Sequence, residues 1–268
     1  MNRRSFLLSL AVVAVAGCQN AHRLTKTEPR GLRVLSYNTH HGEGVDGRLD
    51  LERIAGVIRA ANPDLVALQE VDRHARRTGG IDQTETYART TGMHAWFGAA
   101  MPFQGGEYGQ ALLSRWPLQQ PAVIRLPGSE GREPRIVVTA RIDIPRLGYI
   151  RFGGLHFDAG GEDADRWEQA GALLRELGKE SVPTLLAGDF NATPESRVMR
   201  RLLAPSSGWV DTAGPWAAPT IPAHSPRSRI DYVLAAPPGA WQALESKVIP
   251  ESEASDHRPL LVEVRLLT

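Results

Sequence analysis

The sequence predicts an α/β fold in which two β-sheets pack face to face and helices cover their outer faces. Strand-like segments outnumber helical ones, alternating and hairpin connections both occur, and no linker divides the strands. The chain is 42% hydrophobic and 23% charged, as in ordinary globular proteins. We therefore expect one large folded domain over residues 31–268.

The first third of this domain begins with a strand, a helix and a second strand. Arg33–Tyr37 has the composition of a short strand. Apolar residues at helical spacing predict an amphipathic helix over about Asp50–Ala61, with Asp50 as the N-cap. Asp64–Leu68 is apolar after its first residue, which is typical of a central strand. Residues 73–83 are polar and contain glycine, which indicates a loop.

The remaining elements are mostly strands that Pro and Gly turns separate. They are expected at Gln110–Ser114, Ala122–Leu126, Arg135–Ile144, Tyr149–Leu155, Val182–Ala187, Ile230–Ala235, Trp241–Val248 and Pro259–Leu266. Helical spacing of apolar residues predicts a helix over Asp163–Gly178. Thr193 and Pro194 are typical of an N-cap and a first helical residue, which predicts a further helix over Pro194–Leu203.

The N-terminus has the pattern of an export signal. Two arginines precede a short apolar segment, as in a twin-arginine signal. Val15–Cys18 resembles a bacterial lipobox, so we expect Cys18 to be lipidated; a small buried thiol is the alternative. Residues 1–17 are then the signal and residues 18–30 a polar tether. This predicts a lipid-anchored protein of the bacterial cell envelope, on its periplasmic or outer-surface side.

Charge and missing motifs argue against several classes of protein. The formal net charge is +1, which does not favour binding of nucleic acid by bulk electrostatics, although a local basic groove stays open. The sequence contains no His-Glu-x-x-His and no Cys pair, which disfavours a zinc enzyme. It also lacks the Gly-x-Ser-x-Gly of serine hydrolases and the Gly-x-x-x-x-Gly-Lys of P-loops.

Polar side chains lie at the ends of one predicted strand after another. They are Asn38, Glu70, His156 with Asp158, Asp189 with Asn191, Asp231, and Asp256 with His257. Functional groups commonly occupy such rims on a rigid scaffold, although Asp158 is equally typical of a turn. Asn38, Glu70 and Asp256 offer hard oxygen ligands, which suit Mg²⁺ or Mn²⁺ better than zinc. The pattern indicates metal-assisted hydrolysis.

Five segments resemble, in order, the motifs of the endonuclease/exonuclease/phosphatase superfamily, which includes nucleases, sphingomyelinases and inositol phosphatases. They are Ser36-Tyr37-Asn38, Leu68-Gln69-Glu70, Gly188-Asp189-Phe190-Asn191, Arg229-Ile230-Asp231-Tyr232 and Ser255-Asp256-His257. The resemblance covers residues 31–268. It implies a four-layered α/β sandwich with two mixed, mostly antiparallel sheets, and a Mg²⁺-dependent hydrolase of phosphoric esters.

The resemblance also implies a role for each matching residue around the metal and the water. Glu70, supported by Asn38, looks like the primary metal ligand. Asp256 is expected to serve the metal or to hold the histidine that follows it. Asp189 resembles the residue that aligns or deprotonates the attacking water, and Asn191 the donor to a phosphate oxygen.

The remaining roles concern histidines. His257 resembles the general base or phosphate-binding histidine of the family, and Asp231 the carboxylate that orients it. His156 lies where family members have a donor to the transition-state oxyanion.

Four further residues are expected to bind substrate. His40 departs from the carboxylate that some family nucleases carry, which changes a metal ligand or a phosphate donor. Gln110 lies where many members have Asn, with a different reach. Arg77 and Arg135 are candidates for binding a phosphate through bidentate hydrogen bonds. Ordinary surface charges are an equally good interpretation of both residues.

Three hypotheses for the function follow from the sequence. The first is an exported phosphodiesterase that acts on a lipid-linked or small phosphodiester. The second is an exported nuclease, which requires a basic groove beside the site. The third is a catalytically inactive binding lipoprotein. The expected partners are the phosphate-ester substrate and the membrane, with nucleic acid possible but not favoured, and we expect a monomer.

Overall fold

The computed structural model of the protein describes residues 31–178, 182–215 and 217–267. Cys18, the expected signal and the expected tether lie outside the described residues and stay predictions. Within the described ranges, no helix combines the length and the apolar character that a membrane span requires.

The described residues form twelve strands and four α-helices. The strands are β1 (Leu32–Asn38), β2 (Leu65–Arg73), β3 (His94–Phe103), β4 (Gly106–Ser114), β5 (Leu118–Arg125), β6 (Ile136–Ile144), β7 (Gly148–His156), β8 (Thr184–Asp189), β9 (Val210–Asp211), β10 (Asp231–Ala236), β11 (Trp241–Val248) and β12 (Leu260–Leu266). The helices are α1 (Leu51–Ala61), α2 (Gln83–Thr91), α3 (Ala164–Leu177) and α4 (Arg197–Leu202). Short 3₁₀ turns occur at His40–Gly42, Arg76–Thr78 and Pro205–Ser207.

The strands form two six-stranded sheets of similar design. Sheet one has the order β11-β12-β1-β2-β4-β3, and sheet two has the order β5-β6-β7-β8-β10-β9. Each sheet contains one parallel pair, β1 with β2 and β7 with β8, among antiparallel neighbours. The predicted pair of mixed, mostly antiparallel sheets is therefore confirmed.

Alternating side chains along the strands build the layers. In β1, Val34 points into the core between the sheets, whereas Leu35 and Tyr37 pack with the apolar face of α1. In β8, Leu185 belongs to the core between the sheets, and Leu186 packs in the cluster under α3 and α4. Because the central strands are buried on both faces, the four-layered α/β sandwich predicted from the sequence is confirmed.

Two elements next to the site were missed at the sequence level. α2 is polar apart from Tyr87 and Ala88 and rich in threonine, so it shows no apolar period and has weak helix propensity. Asp82 nevertheless caps it by accepting from Glu85 N at 2.9 Å. β3 contains Gly98 and Pro102, which are uncommon within strands and more typical of loops. Pairing with β4 overrides these local signals.

The predicted start of the helix after β8 was wrong by three residues. Thr193 is not its N-cap, because its carbonyl closes a turn by accepting from Ser196 N at 3.0 Å. Ser196 caps α4 instead, accepting from Met199 N at 3.2 Å. Pro194 therefore lies in the connecting turn. By contrast, Asp50 caps α1 as predicted and accepts from Arg53 N at 2.9 Å.

The core between the sheets predicts a large penalty for truncating Leu112. This β4 side chain is fully buried between the two sheets. Leu112→Ala should lower the free energy of unfolding by about 3 kcal/mol, because it removes buried methyl groups and leaves a cavity. Urea unfolding measures this loss. Val45→Ala, at an exposed loop position, is the control and should change stability by less than about 0.5 kcal/mol. Equal effects in the two variants would contradict the assigned core.

Candidate active site

The strand register of sheet two aligns three polar residues. Asp189 ends β8, and its Cα is paired with His156 at the end of β7 and with Asp231 at the start of β10. Paired residues of neighbouring strands project on the same face of a sheet. The register therefore places an imidazole and a second carboxylate on either side of Asp189. All three side chains are buried.

His257 completes this group from the loop before β12. Its Nδ1 lies 3.0 Å from Asp231 Oδ2, and its Nε2 lies 3.7 Å from Asp189 Oδ2. His156 Nε2 lies 3.4 Å from the same Asp189 oxygen. A carboxylate thus orients His257, as predicted for the pair, while Asp189 faces two imidazole rings.

Sheet one contributes Asn38 and Glu70. Glu70 lies at a β-bulge, where the pairing of β2 with β4 shifts register between Leu68 and Val71. Its φ of 57° is in the left-handed region, so the bulge redirects this side chain away from the regular alternation of the strand. β2 continues beyond the bulge to Arg73, which corrects the expectation that the strand ends at Glu70.

Asn38 bridges the two sheets. Its Nδ2 donates to Glu70 Oε1 at 2.9 Å and to Asp189 Oδ2 at 3.2 Å. Its Oδ1, the atom expected to serve a metal, accepts from His40 N at 3.0 Å. Asn38 therefore uses its amide hydrogens to hold the two carboxylates of the site at fixed positions.

Asp256 lies beside this group, and its neighbour Ser255 ties the loop to β1. Ser255 Oγ donates to the Asn38 carbonyl at 2.8 Å and lies 3.3 Å from Asp256 Oδ1. Asp256 is half-buried, and its charge helps to raise the pKa of His257. Whether Asp256 serves a metal or holds His257 stays a prediction.

Burial and charge shift the pKa values in this group. Burial alone would lower the pKa of His257, but the carboxylates of Asp231 and Asp189 outweigh it and raise the pKa to about 10. Burial, with the charge of Asp231, raises the pKa of Asp189 to about 7, against the opposing effect of His257. His257 is therefore a cation at neutral pH, and Asp189 exchanges its proton near neutral pH.

His156 is held neutral. Burial, followed by the charges of Arg135 and His257, lowers the pKa of His156 well below its ordinary value. A neutral imidazole has one ring nitrogen that donates a hydrogen bond and one that accepts.

Asn191 follows Asp189 in a tight turn. Its φ of 47° is left-handed, its N–H donates to Asp189 Oδ1 at 2.8 Å, and its Nδ2 donates to the Phe157 carbonyl at 3.1 Å. One amide hydrogen is thus engaged by the β7 loop, and the second is available to a phosphate oxygen.

A cleft of about 240 Å³ opens beside Glu70 and His156. Arg77 lines this cleft. Its guanidinium donates two hydrogen bonds to the Asp72 carboxylate, at 2.8 and 2.9 Å, and its Cζ lies 4.6 Å from the Phe103 ring centroid. On another wall, the buried Arg135 pairs with Glu133 at 2.9 Å. Tyr108 forms a third wall. The two predicted arginines are therefore together at the site, each paired with a carboxylate.

Two candidates lie outside this arrangement. Gln110 is buried, its Nε2 donates to the Ile136 carbonyl at 2.9 Å, and its Oε1 has no hydrogen-bond partner among the described residues. Its structural role is to join β4 to the start of β6. Asp158 accepts from Gly160 N at 2.7 Å, which is the turn role that the sequence left open.

Sequence reasoning missed Glu133, Tyr108, Asp72 and His41. Tyr108 lies within β4, and Glu133 lies in the loop before β6. Nothing in the local sequence pattern predicts that these two side chains meet at a cleft. His41 had a visible signal, since it follows His40 directly. Two groups of described side chains have ligand atoms within 4.8 Å of one another: Asp189, Asp231 and His257, and His40, His41 and Glu70.

The fold and the site together define a metal-dependent hydrolase of phosphoric esters. The model of the Endonuclease/Exonuclease/phosphatase family matches residues 35–257. The chain therefore belongs to this family, which confirms the resemblance drawn from its motifs. No curated protein sequence matches the chain significantly.

Solved structures share the fold. An endonuclease/exonuclease/phosphatase from Beutenbergia cavernae DSM 12333 has a TM-score of 0.73 and 29% identity, covering 88% of this chain and 72% of that one. A mannosyl-6-phosphatase from Bacteroides thetaiotaomicron VPI-5482 has a TM-score of 0.71 and 21% identity, covering 88% and 100%. The human Nocturnin catalytic domain, with bound sulfate, has a TM-score of 0.71 and 20% identity, covering 89% and 94%.

The pairing of His257 with Asp231 predicts the effect of Asp231→Asn on titration. The pKa of His257 should fall by roughly 1–3 pH units, because an adjacent carboxylate is lost while burial remains. Titration of the imidazole by NMR measures this change. Asp143→Asn is the control, since it removes an exposed carboxylate elsewhere in β6 and should leave the His257 pKa as in the wild type. An unchanged pKa in Asp231→Asn would contradict the assigned pairing.

Proposed function

We propose that the protein is a phosphodiesterase that cleaves a small phosphodiester, free or as the headgroup of a lipid, by metal-assisted attack of water on phosphorus. The observation that carries this proposal is the small polar cleft that adjoins Glu70 and His156. The proposal also includes the predicted lipid anchor at Cys18 and a location on the cell envelope.

The size and the lining of the cleft favour a compact leaving group. Its volume of about 240 Å³ is below the usual range for pockets that hold drug-sized ligands. Glu133 accepts hydrogen bonds, Arg77 and Arg135 donate them, and Phe103 offers an apolar wall. A hydroxylated group such as a polyol or a polar headgroup matches this mixture of donors, acceptors and apolar surface.

The charge of the site favours a diester over a monoester. His257 is paired with Asp231, and the arginines are paired with Asp72 and Glu133. The protein therefore supplies little uncompensated positive charge around the leaving group. A phosphodiester carries one negative charge, whereas a monoester carries about 1.5 to 2 near pH 7.

The residues suggest how hydrolysis proceeds. Asp189, with a pKa of about 7, is suited to take a proton from the attacking water near neutral pH. The cationic His257 is suited to bind and stabilise the negatively charged phosphoryl group. Asn191 has a second amide hydrogen to donate to a phosphoryl oxygen. A divalent ion held by Glu70 supplies Lewis-acid polarisation of a phosphoryl oxygen when it is bound.

A nuclease is the alternative that the structure favours less. A duplex or a single strand needs a positively charged groove along its backbone. The arginines of the cleft are instead paired with carboxylates, Arg77 with Asp72 and Arg135 with Glu133. The mannosyl-6-phosphatase with the same fold also acts, by its name, on a small phosphate ester.

A substrate panel tests the proposal. The purified protein with Mg²⁺ is assayed on a generic phosphodiester, a phosphomonoester, plasmid DNA and phospholipid vesicles. We expect hydrolysis of the diester or of the vesicle headgroup, loss of activity with chelator, and its recovery when metal is restored. Asp189→Asn should lower kcat about a thousandfold, because the base is lost. Asp143→Asn is the control and should retain wild-type kcat.

The outcomes separate the three hypotheses. DNA cleavage far above the other substrates would replace the diesterase with a nuclease. No hydrolysis of any substrate, with metal bound, would favour the binding lipoprotein. Full activity in Asp189→Asn would contradict the assigned base.

The negative charge of Glu133 beside the site predicts the effect of Glu133→Gln on selectivity. This change removes one negative charge beside the site at nearly constant shape. The ratio of kcat/KM for diester to that for monoester should fall about fivefold, equivalent to about 1 kcal/mol, since repulsion of the second monoester charge is relieved. Steady-state kinetics on the two substrates measure the ratio. A ratio equal to that of the wild type would mean that Glu133 does not select by charge.

A further inference from the structure

We infer that His40, His41 and Glu70 form a nitrogen-containing metal site that binds a transition-metal dication, of the Co²⁺, Ni²⁺ or Zn²⁺ class, in preference to Mg²⁺. The inference deepens the proposed function and rests on its requirement for a metal. It concerns which ion the site selects, so ion binding can be measured separately from hydrolysis.

The three side chains already lie at near-ligand spacing. One ligand atom from each of His40, His41 and Glu70 lies within 4.8 Å of the other two. Metal–nitrogen and metal–oxygen bonds of about 2.0–2.2 Å need only a modest contraction of this spacing. Glu70 is also the residue whose carboxylate the β-bulge directs into the site.

His40 is held in the tautomer that a metal ligand requires. Its Nδ1 lies 3.0 Å from the Glu43 carbonyl oxygen, which can only accept, so Nδ1 carries the proton and donates. In the neutral ring, Nε2 is then left with a free lone pair. A hydrogen bond from the second ring nitrogen to a carbonyl is the usual support of a metal-bound histidine.

His41 has a nitrogen without a partner. Its Nδ1 is buried and has no hydrogen-bond partner among the described residues, which is costly for a polar atom. Its Nε2 faces the Glu43 carboxylate at 3.6 Å. In a metal-bound histidine, one ring nitrogen commonly faces a carboxylate while the other binds the metal. His41 has the same arrangement, with its second nitrogen unpaired among the described residues.

Glu43 thus stands behind both histidines, with its carbonyl toward His40 and its side chain toward His41. The backbone adopts unusual conformations to present the rings, with φ of 45° at His40 and 44° at His41. Asn38 Oδ1 holds the turn by accepting from His40 N at 3.0 Å. The same asparagine therefore positions Glu70 and the histidine turn together.

The donor atoms decide between an anion and a cation. A phosphate oxygen requires hydrogen-bond donors, but His40 Nε2 in this tautomer is an acceptor. This argues against the substrate-binding role expected for His40 from the sequence. Imidazole nitrogen binds borderline transition metals well, whereas Mg²⁺ prefers oxygen ligands. Two nitrogens beside one carboxylate therefore shift the preference toward transition metals.

Metal titration of the purified protein tests the inference. Protein stripped of metal by chelator and dialysis is titrated with Co²⁺ and with Mg²⁺ by calorimetry, and the visible spectrum of bound Co²⁺ reports nitrogen ligation. The variants are His40→Asn and His41→Asn, because asparagine tolerates the left-handed backbone while removing the imidazole. His74→Asn is the matched control, since His74 is an exposed left-handed histidine whose Nδ1 also faces a carbonyl.

We expect each of the two variants to weaken Co²⁺ binding roughly 10- to 100-fold, comparable to the loss of a supporting residue at known metal sites. The Co²⁺ spectrum should lose its nitrogen signature in parallel, and Mg²⁺ binding should change by less than about threefold. The control should match the wild type in every measurement. Circular dichroism melting confirms that the variants are folded.

Co²⁺ binding of wild-type strength and spectrum in both folded variants would overturn the inference. An all-oxygen spectrum in the wild type would do the same. If Mg²⁺-dependent hydrolysis persists in that case, the proposed function stands without this site. Nitrogen-ligated Co²⁺ without hydrolysis of any substrate would support the metal site and reject the proposed function.

Discussion

The amide of Asn38 is the contact on which the site depends. It donates from the end of β1 to Glu70 in sheet one and to Asp189 in sheet two, so it joins two carboxylates that belong to different sheets. This bridge exists only because the inner faces of the sheets pack together and bring the ends of β1 and β8 to one edge. Packing in the core is therefore a condition for the chemistry at the rim.

Charge in the site is arranged in compensating pairs. Asp231 holds His257 as a cation, while burial holds Asp189 at a pKa near neutrality and keeps His156 uncharged. Asp231 and Asp189 offset the burial of the His257 cation, and burial in turn makes Asp189 basic enough to accept a proton. The pairing of the cleft arginines extends this balance to the region where a leaving group would lie.

The backbone does much of the positioning. Four residues of the site have left-handed φ values, which residues other than glycine rarely adopt. They are Glu70, Asn191, His40 and His41. Such conformations cluster where a side chain must leave the regular direction of its strand or turn. A β-bulge accompanies the unusual geometry at Glu70, and a hydrogen bond accompanies it at each of the other three residues.

By itself, the sequence determined the number and order of most strands, the cap at Asp50 and the family, because apolar runs, turn residues and short motifs are local patterns. The start of α4 and the presence of α2 and β3 depended on competing turns and strand pairing, which local propensity does not report. Only the tertiary structure decided that the Asn38 amide serves two carboxylates, that Glu133 neutralises Arg135 and that Glu43 supports His40 and His41. These contacts depend on side-chain direction and, across the sheets, on partners far apart in the chain, which spacing along the sequence cannot convey.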